Sequence, residues 1–203
     1  MNGGVIMHKT TRRAVRGAAA LAIALGGVAA ASSPAAAYGN TDTFSWPHHY
    51  RIGGNNNTGR CVDDSFDSNA VSGNLLRGFP CLANSYSGGW QEWTVVEVSS
   101  GGASLQNAAT GLCLDDSDAG PNGSDLLRGF PCNGLSWQHW RIVNRYTGTS
   151  PSYPQQVLQN EATGRCLDDS DAGPGGSDLL RGYPCNGPSQ DGGWQGWDLY
   201  QMG

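Results

Sequence analysis

No window of the chain carries apolar residues at sustained helical spacing. Short extended runs appear instead, at residues 94–98, 141–143, 156–159 and 197–200, separated by clusters of Gly, Asn, Ser, Asp and Pro. Brief strand-like runs bounded by turn residues predict an all-β fold. The pattern also recurs. Residues 163–187 read T-G-R-C-L-D-D-S-D-A-G-P-G-G-S-D-L-L-R-G-Y-P-C-N-G, and residues 110–134 repeat this almost letter for letter. Residues 58–67 and 75–81 form a looser copy, T-G-R-C-V-D-D-S-F-D and L-L-R-G-F-P-C. Each copy is followed by W-Q-x-W, ending at Trp93, Trp140 and Trp197. Such a period sets the architecture before any single residue is interpreted.

Each unit reads as four strands. One leads into the T-G turn, as at residues 104–107, and a second carries Cys-Leu-Asp or Cys-Val-Asp. A third spans Leu-Leu-Arg-Gly-aromatic, and a fourth starts at the last tryptophan of W-Q-x-W. Three units, at about residues 50–98, 104–144 and 155–203, predict twelve strands that close on one another and leave no unpaired edge. Residues 38–49 form a lead-in; its His48-His49 pair is read as solvated. Strand alternation assigns faces in the third strand: if Leu76 points to the core, Arg77 and Phe79 point the other way. Leu127 and Leu180 do the same for Arg128/Phe130 and Arg181/Tyr183.

The first 37 residues stand apart. Lys9, Arg12, Arg13 and Arg16 make a basic head, residues 18–31 are small and apolar, and Ala35-Ala36-Ala37 offers an A-x-A cleavage site. These are the parts of a secretory signal over residues 1–37, too short in its apolar part to span a membrane, with Tyr38 as the mature start. Eight arginines then face seventeen acids, a formal charge of −9 without any lysine. That balance argues against nucleic acid and anionic membranes as partners. A monomer without cofactor is expected.

Six cysteines in an exported chain suggest disulfides. One bridge per unit, Cys61–Cys81, Cys113–Cys132 and Cys166–Cys185, treats the copies alike and keeps the loops short. Each would contribute about 3 kcal/mol by closing a loop of about 20 residues.

Cys-Leu-Asp, an aromatic-Pro-Cys some twenty residues on and then Q-x-W, three times in order, resembles the ricin B-chain-type β-trefoil lectins over residues 50–203. The resemblance implies a six-stranded barrel capped by three hairpins, with one shallow sugar pocket in each unit. A sugar needs an aromatic plane for its apolar face, a carboxylate to accept hydroxyl hydrogens, and a donor to bond back. By resemblance, the anchoring aspartates are Asp63, Asp115 and Asp168, and the stacking aromatics are Phe79, Phe130 and Tyr183. The Q-x-W glutamines are Gln91, Gln138 and Gln195. The tryptophans Trp93, Trp140 and Trp197 are expected in the core, and the aspartates have a plainer alternative as acceptors of turn amides.

Two positions depart from the family pattern. Trp90, Trp137 and Trp194 stand where the family often has asparagine, and Arg77, Arg128 and Arg181 stand where it often has glutamine. Three roles are open to the arginines. Each can donate to a sugar, select an acidic sugar, or pair with the pocket aspartate and fill the site.

The second acids, Asp116, Asp118, Asp169 and Asp171 with Asp125 and Asp178 nearby, read as polar turns, with a calcium loop as the alternative. Their spacing does not match the usual calcium motif. No nucleophile or metalloprotease motif is present, and only His139 among the histidines lies inside a repeat. The expected function is secreted, non-catalytic carbohydrate binding, with a protein-binding trefoil or a glycosidase as alternatives.

Overall fold

The computed structural model describes residues 44–45, 47–65, 74–98, 102–117, 125–145, 155–170 and 179–202. Residues 1–43, most of the links between units, and Asp118, Asp171 and Asp178 lie outside them.

Six strands form a closed barrel: β1 (His49–Gly53), β5 (Trp93–Val98), β6 (Ala103–Asn107), β10 (His139–Arg145), β11 (Gln155–Asn160) and β14 (Asp198–Met202). They pair antiparallel in the order β14-β1-β5-β6-β10-β11. Trp197 and Gln156 close the ring with reciprocal backbone bonds of 2.9 and 3.3 Å. Three hairpins join this barrel: β2 (Arg60–Asp63) with β4 (Arg77–Pro80), β7 (Leu112–Asp115) with β9 (Arg128–Pro131), and β12 (Arg165–Asp168) with β13 (Arg181–Pro184). Each hairpin is stapled by the disulfide expected of it, Cys61–Cys81, Cys113–Cys132 or Cys166–Cys185.

Among the described residues there are fourteen strands rather than the expected twelve, because the two-residue strands β3 (Asn74–Leu75) and β8 (Asp125–Leu126) stand apart from β4 and β9. The cause lies at the second leucine of L-L-R-G. Leu76 donates its amide hydrogen to Leu127 at 3.0 Å, Leu127 to Leu180 at 2.9 Å, and Leu180 back to Leu76 at 2.9 Å. This triangle of backbone bonds marks the threefold axis. It takes each leucine out of its hairpin ladder and so splits the strand. All three leucines are fully buried.

The core is built in threes. Trp93, Trp140 and Trp197 have no exposed surface, and their indole N–H groups donate to the carbonyls of Val62, Leu114 and Leu167 at 3.2, 2.9 and 3.1 Å. A buried indole thus satisfies its polar edge while filling the core. The hairpins are followed by short helical turns: α1 (Ala83–Ser87), α2 (Gly187–Asp191) and, in the shorter second-repeat loop, a single 3-10 turn at Ser136–Gln138. Their few residues leave no room for helical periodicity in the sequence. The lead-in is more integrated than expected. β1 begins at His49, whose Nδ1 lies 2.6 Å from Glu92, and Phe44 packs edge-on against the core residue Tyr50.

Candidate functional site

The hairpin register sets Asp63 opposite Arg77, Asp115 opposite Arg128 and Asp168 opposite Arg181. Opposed cross-strand side chains meet. Arginine Nε donates to aspartate Oδ1 at 3.3, 3.1 and 3.0 Å in the three repeats. The aromatic two residues further along the strand shares the arginine's face. Each guanidinium therefore lies over a ring, 4.0 Å from the centroid of Phe79, 4.3 Å from Phe130 and 4.2 Å from Tyr183. The face assignment made from alternation holds in all three copies.

The aspartates are buried behind these arginines, with at most 1 % of their surface exposed. Oδ1 also accepts a turn amide, from Ser65 at 3.0 Å, Ser117 at 3.1 Å and Ser170 at 3.1 Å. The plainer role as an amide acceptor and the pairing with arginine are thus both realised. The Q-x-W glutamines are fully buried as well. Gln91, Gln138 and Gln195 donate to the carbonyls of Pro80, Pro131 and Pro184 at 3.0, 3.1 and 3.1 Å, and accept the amides of Leu82, Asn133 and Asn186. Gln91 and Gln138 reach Oδ2 of Asp63 and Asp115 at 3.1 and 3.0 Å. Oδ2 of Asp168 is buried without a hydrogen-bond partner among the described residues. The glutamines therefore hold the hairpin and its aspartate from the core side and present no surface to a ligand.

What faces outward is the arginine on its aromatic plane. The arginine side chains are 35 %, 15 % and 19 % exposed at Arg77, Arg128 and Arg181. Arg128 also donates from Nη2 to Ser117 Oγ. Among the described residues, Arg77 and Arg181 engage their aspartates through Nε, and their η nitrogens make no protein bond. The outer surface of each site is thus a donor surface, and the acceptor lies beneath it.

Trp90, Trp137 and Trp194 work through their main chain. Each carbonyl accepts both the amide of its own repeat's second aspartate and the Nδ2 of an asparagine in the next repeat. For Trp90 these are Asp64 at 3.0 Å and Asn107 at 3.0 Å. The indoles of Trp90 and Trp194 pack on Gly88 and Gly192, where a Cβ would come within 2.9 and 2.8 Å. Trp137, beside the shorter loop, is 36 % exposed.

The second aspartates carry a role that sequence reading missed. Asp64 accepts from Thr110 at 2.5 Å, Asp116 from Thr163 at 2.5 Å, and Asp169 from Thr58. Each bond joins one repeat to the next, and the third closes on the first. Arg165 and Arg60 add contacts of 3.6 and 3.5 Å to Asp116 and Asp169. The same carboxylates press on Gly129, Gly182 and Gly78, where any Cβ would collide with them. Asp116 and Asp169 therefore bridge repeats, and the turns that follow them lie outside the described residues. The usable signal was the D-D and T-G pairs recurring in register in all three copies.

His139 is similarly structural in setting. It is 7 % exposed, with Nδ1 3.0 Å from Glu161 and Nε2 3.6 Å from Glu97, carboxylates of the two other repeats.

Residues 89–173 match the family model described as ricin-type beta-trefoil lectin domain-like. No curated protein sequence matches the chain. Among solved structures, it is similar to the designed threefold symmetric protein ThreeFoil, with a TM-score of 0.58, 20 % identity, and 76 % of this chain and 99 % of that chain covered. A Polyporus squamosus lectin bound to the epitope Neu5Aca2-6Galb1-4GlcNAc matches with a TM-score of 0.56 and 14 % identity, over 79 % of this chain and 51 % of that one. An exo-beta-1,3-galactanase from Clostridium thermocellum matches with a TM-score of 0.57 and 20 % identity, over 79 % of this chain but only 31 % of its own. At these identities the likeness establishes the fold. The chain has a β-trefoil fold, and the stretch similar to the ricin-type lectin-like family lies across its second repeat and the flanking parts of the first and third.

Proposed function

We propose that the protein is a secreted, non-catalytic carbohydrate-binding module, acting as a monomer through shallow sites on its three hairpins. The observation that carries this reading is the threefold recurrence of one surface constellation, an arginine over an aromatic ring backed by a buried aspartate, in a ricin-type lectin-like fold. A triplicated shallow site suits a repeating ligand, because several weak contacts on one polymer add avidity. Secretion rests on the signal-like residues 1–37 and agrees with a disulfide in every repeat. The domain boundary at about residue 50 belongs to the same reading.

The burial of Asp63, Asp115 and Asp168 favours a second reading, in which the sugar pockets are inert and the trefoil binds a protein through its loops. A glycan array separates the two. Saccharide binding that is lost when Phe79, Phe130 and Tyr183 are all replaced by alanine supports the first. An array without any hit supports the second.

A further inference from the structure

We infer that these sites select saccharides bearing an oxyanion, a carboxylate or a sulfate, rather than neutral sugars; this rests on the carbohydrate-binding reading above. Three features of the sites lead there.

The first is what has been covered. A neutral sugar places its apolar face on an exposed aromatic ring and hands its hydroxyl hydrogens to an open carboxylate. Here the rings of Phe79, Phe130 and Tyr183 already carry a guanidinium 4.0–4.3 Å from their centroids. The carboxylates of Asp63, Asp115 and Asp168 are buried beneath. A neutral ring would have to displace an arginine held by both an ion pair and a cation–π contact.

The second is what has been left open. Arg77 and Arg181 spend Nε on their aspartates, and the two η nitrogens of each carry four N–H donors with no protein acceptor among the described residues. A guanidinium edge with both η nitrogens free is the fork that a planar carboxylate or a sulfate bonds in bidentate fashion. The aspartate fixes the arginine in place, so little side-chain freedom remains to be lost on binding. In the second repeat Arg128 donates Nη2 to Ser117 Oγ, so that fork is partly filled. The first and third repeats are therefore the stronger sites.

The third is the surroundings. Leu179 pairs across from Arg77 and Leu126 from Arg181, each contributed by the preceding repeat in the cycle. Leu126 is 47 % exposed. Each fork thus has an apolar neighbour suited to the carbon skeleton of a sugar, and the oxyanion is the group that the donors address. The chain carries net negative charge, so binding depends on this local fork and not on general attraction.

The test is affinity electrophoresis and titration calorimetry of the disulfide-intact protein on matched polymers: neutral galactan, polygalacturonate and a sulfated galactan. The expected result is retention on at least one acidic polymer roughly tenfold tighter than on the neutral one, weakening as salt is added. The comparison of carboxylated with sulfated polymer identifies which oxyanion is read. The double variant Arg77→Gln/Arg181→Gln should abolish that preference. The double variant Arg77→Lys/Arg181→Lys, which keeps the charge but not the fork, should lose most of it. Equal binding of neutral and acidic polymers, or a preference unchanged in the glutamine variant, overturns the inference while carbohydrate binding stands. No binding to any saccharide overturns the carbohydrate reading itself, and the inference falls with it. The comparison of polymers on the unmodified protein needs no variant and decides the question even if the variants fold poorly.

Discussion

Thr163, at the start of the third repeat, donates its hydroxyl hydrogen to Oδ2 of Asp116 in the second at 2.5 Å. The same bond recurs from Thr110 to Asp64 and from Thr58 to Asp169, so each repeat is fastened to its neighbour and the last to the first. The carboxylates also sit against the glycines of the next hairpin, which leaves each interlock without slack. Asp116→Ala removes the short hydrogen bond from Thr163 and the carboxylate beside Arg165, and should destabilise the fold by about 2–4 kcal/mol. Gly182→Ala, which drives a methyl group into Asp116, should cost about 1–3 kcal/mol. Urea unfolding monitored by tryptophan fluorescence measures both, and an unmoved midpoint for either variant would refute the interlock.

The disulfides should behave as three equivalent local staples. Replacing Cys113 and Cys132 together by alanine opens a loop whose ends are 19 residues apart and should cost about 3 kcal/mol. Intact mass and non-reducing peptide mapping of the exported protein should show a start at Tyr38 and no free thiol. A bridge between repeats would contradict the threefold arrangement.

The core indoles bond as well as pack. Trp140→Phe keeps most of the ring but strands the Leu114 carbonyl, which Nε1 reaches at 2.9 Å, and should cost about 1–3 kcal/mol. Trp140→Ala should cost about 3–5 kcal/mol. If Trp140→Phe leaves stability unchanged, the hydrogen bond contributes nothing beyond the packing.

The third repeat should hold the best site. Tyr183 adds a hydroxyl to the plane that phenylalanine provides elsewhere, and Asp168 alone among the three anchoring aspartates keeps a buried oxygen without a partner among the described residues. Tyr183→Ala removes the plane, and Asp168→Ala releases Arg181 from its fixed position. Each should weaken binding by about 1–3 kcal/mol, more than Phe79→Ala or Asp63→Ala does. Calorimetry against the best array ligand gives the ranking, and greater losses at the first repeat would reverse it. Chelator should leave binding unchanged; loss that calcium restores would bring Asp118 and Asp171 forward as ligands.

The threefold plan was legible in the chain because a repeated string specifies a repeated environment. Whereas the buried tryptophans were implied by the family resemblance, the disulfide pairing and the facing of Arg181 with Tyr183 follow from spacing along one or two strands. These are local relations, set by a period of two and by loops of about twenty residues. The extra strand breaks, the leucine triangle and the fate of the second aspartates were not legible. They depend on which atoms of one repeat arrive beside another, and no spacing within a single repeat encodes that distance. The same holds for the sites. The repeated motif placed an aspartate, an arginine and an aromatic in each hairpin and left three roles open to the arginine. The contact with the aspartate became visible in three dimensions, where cross-strand register put the guanidinium between ring and carboxylate. Burial then sealed the acceptor below and left the donors outside.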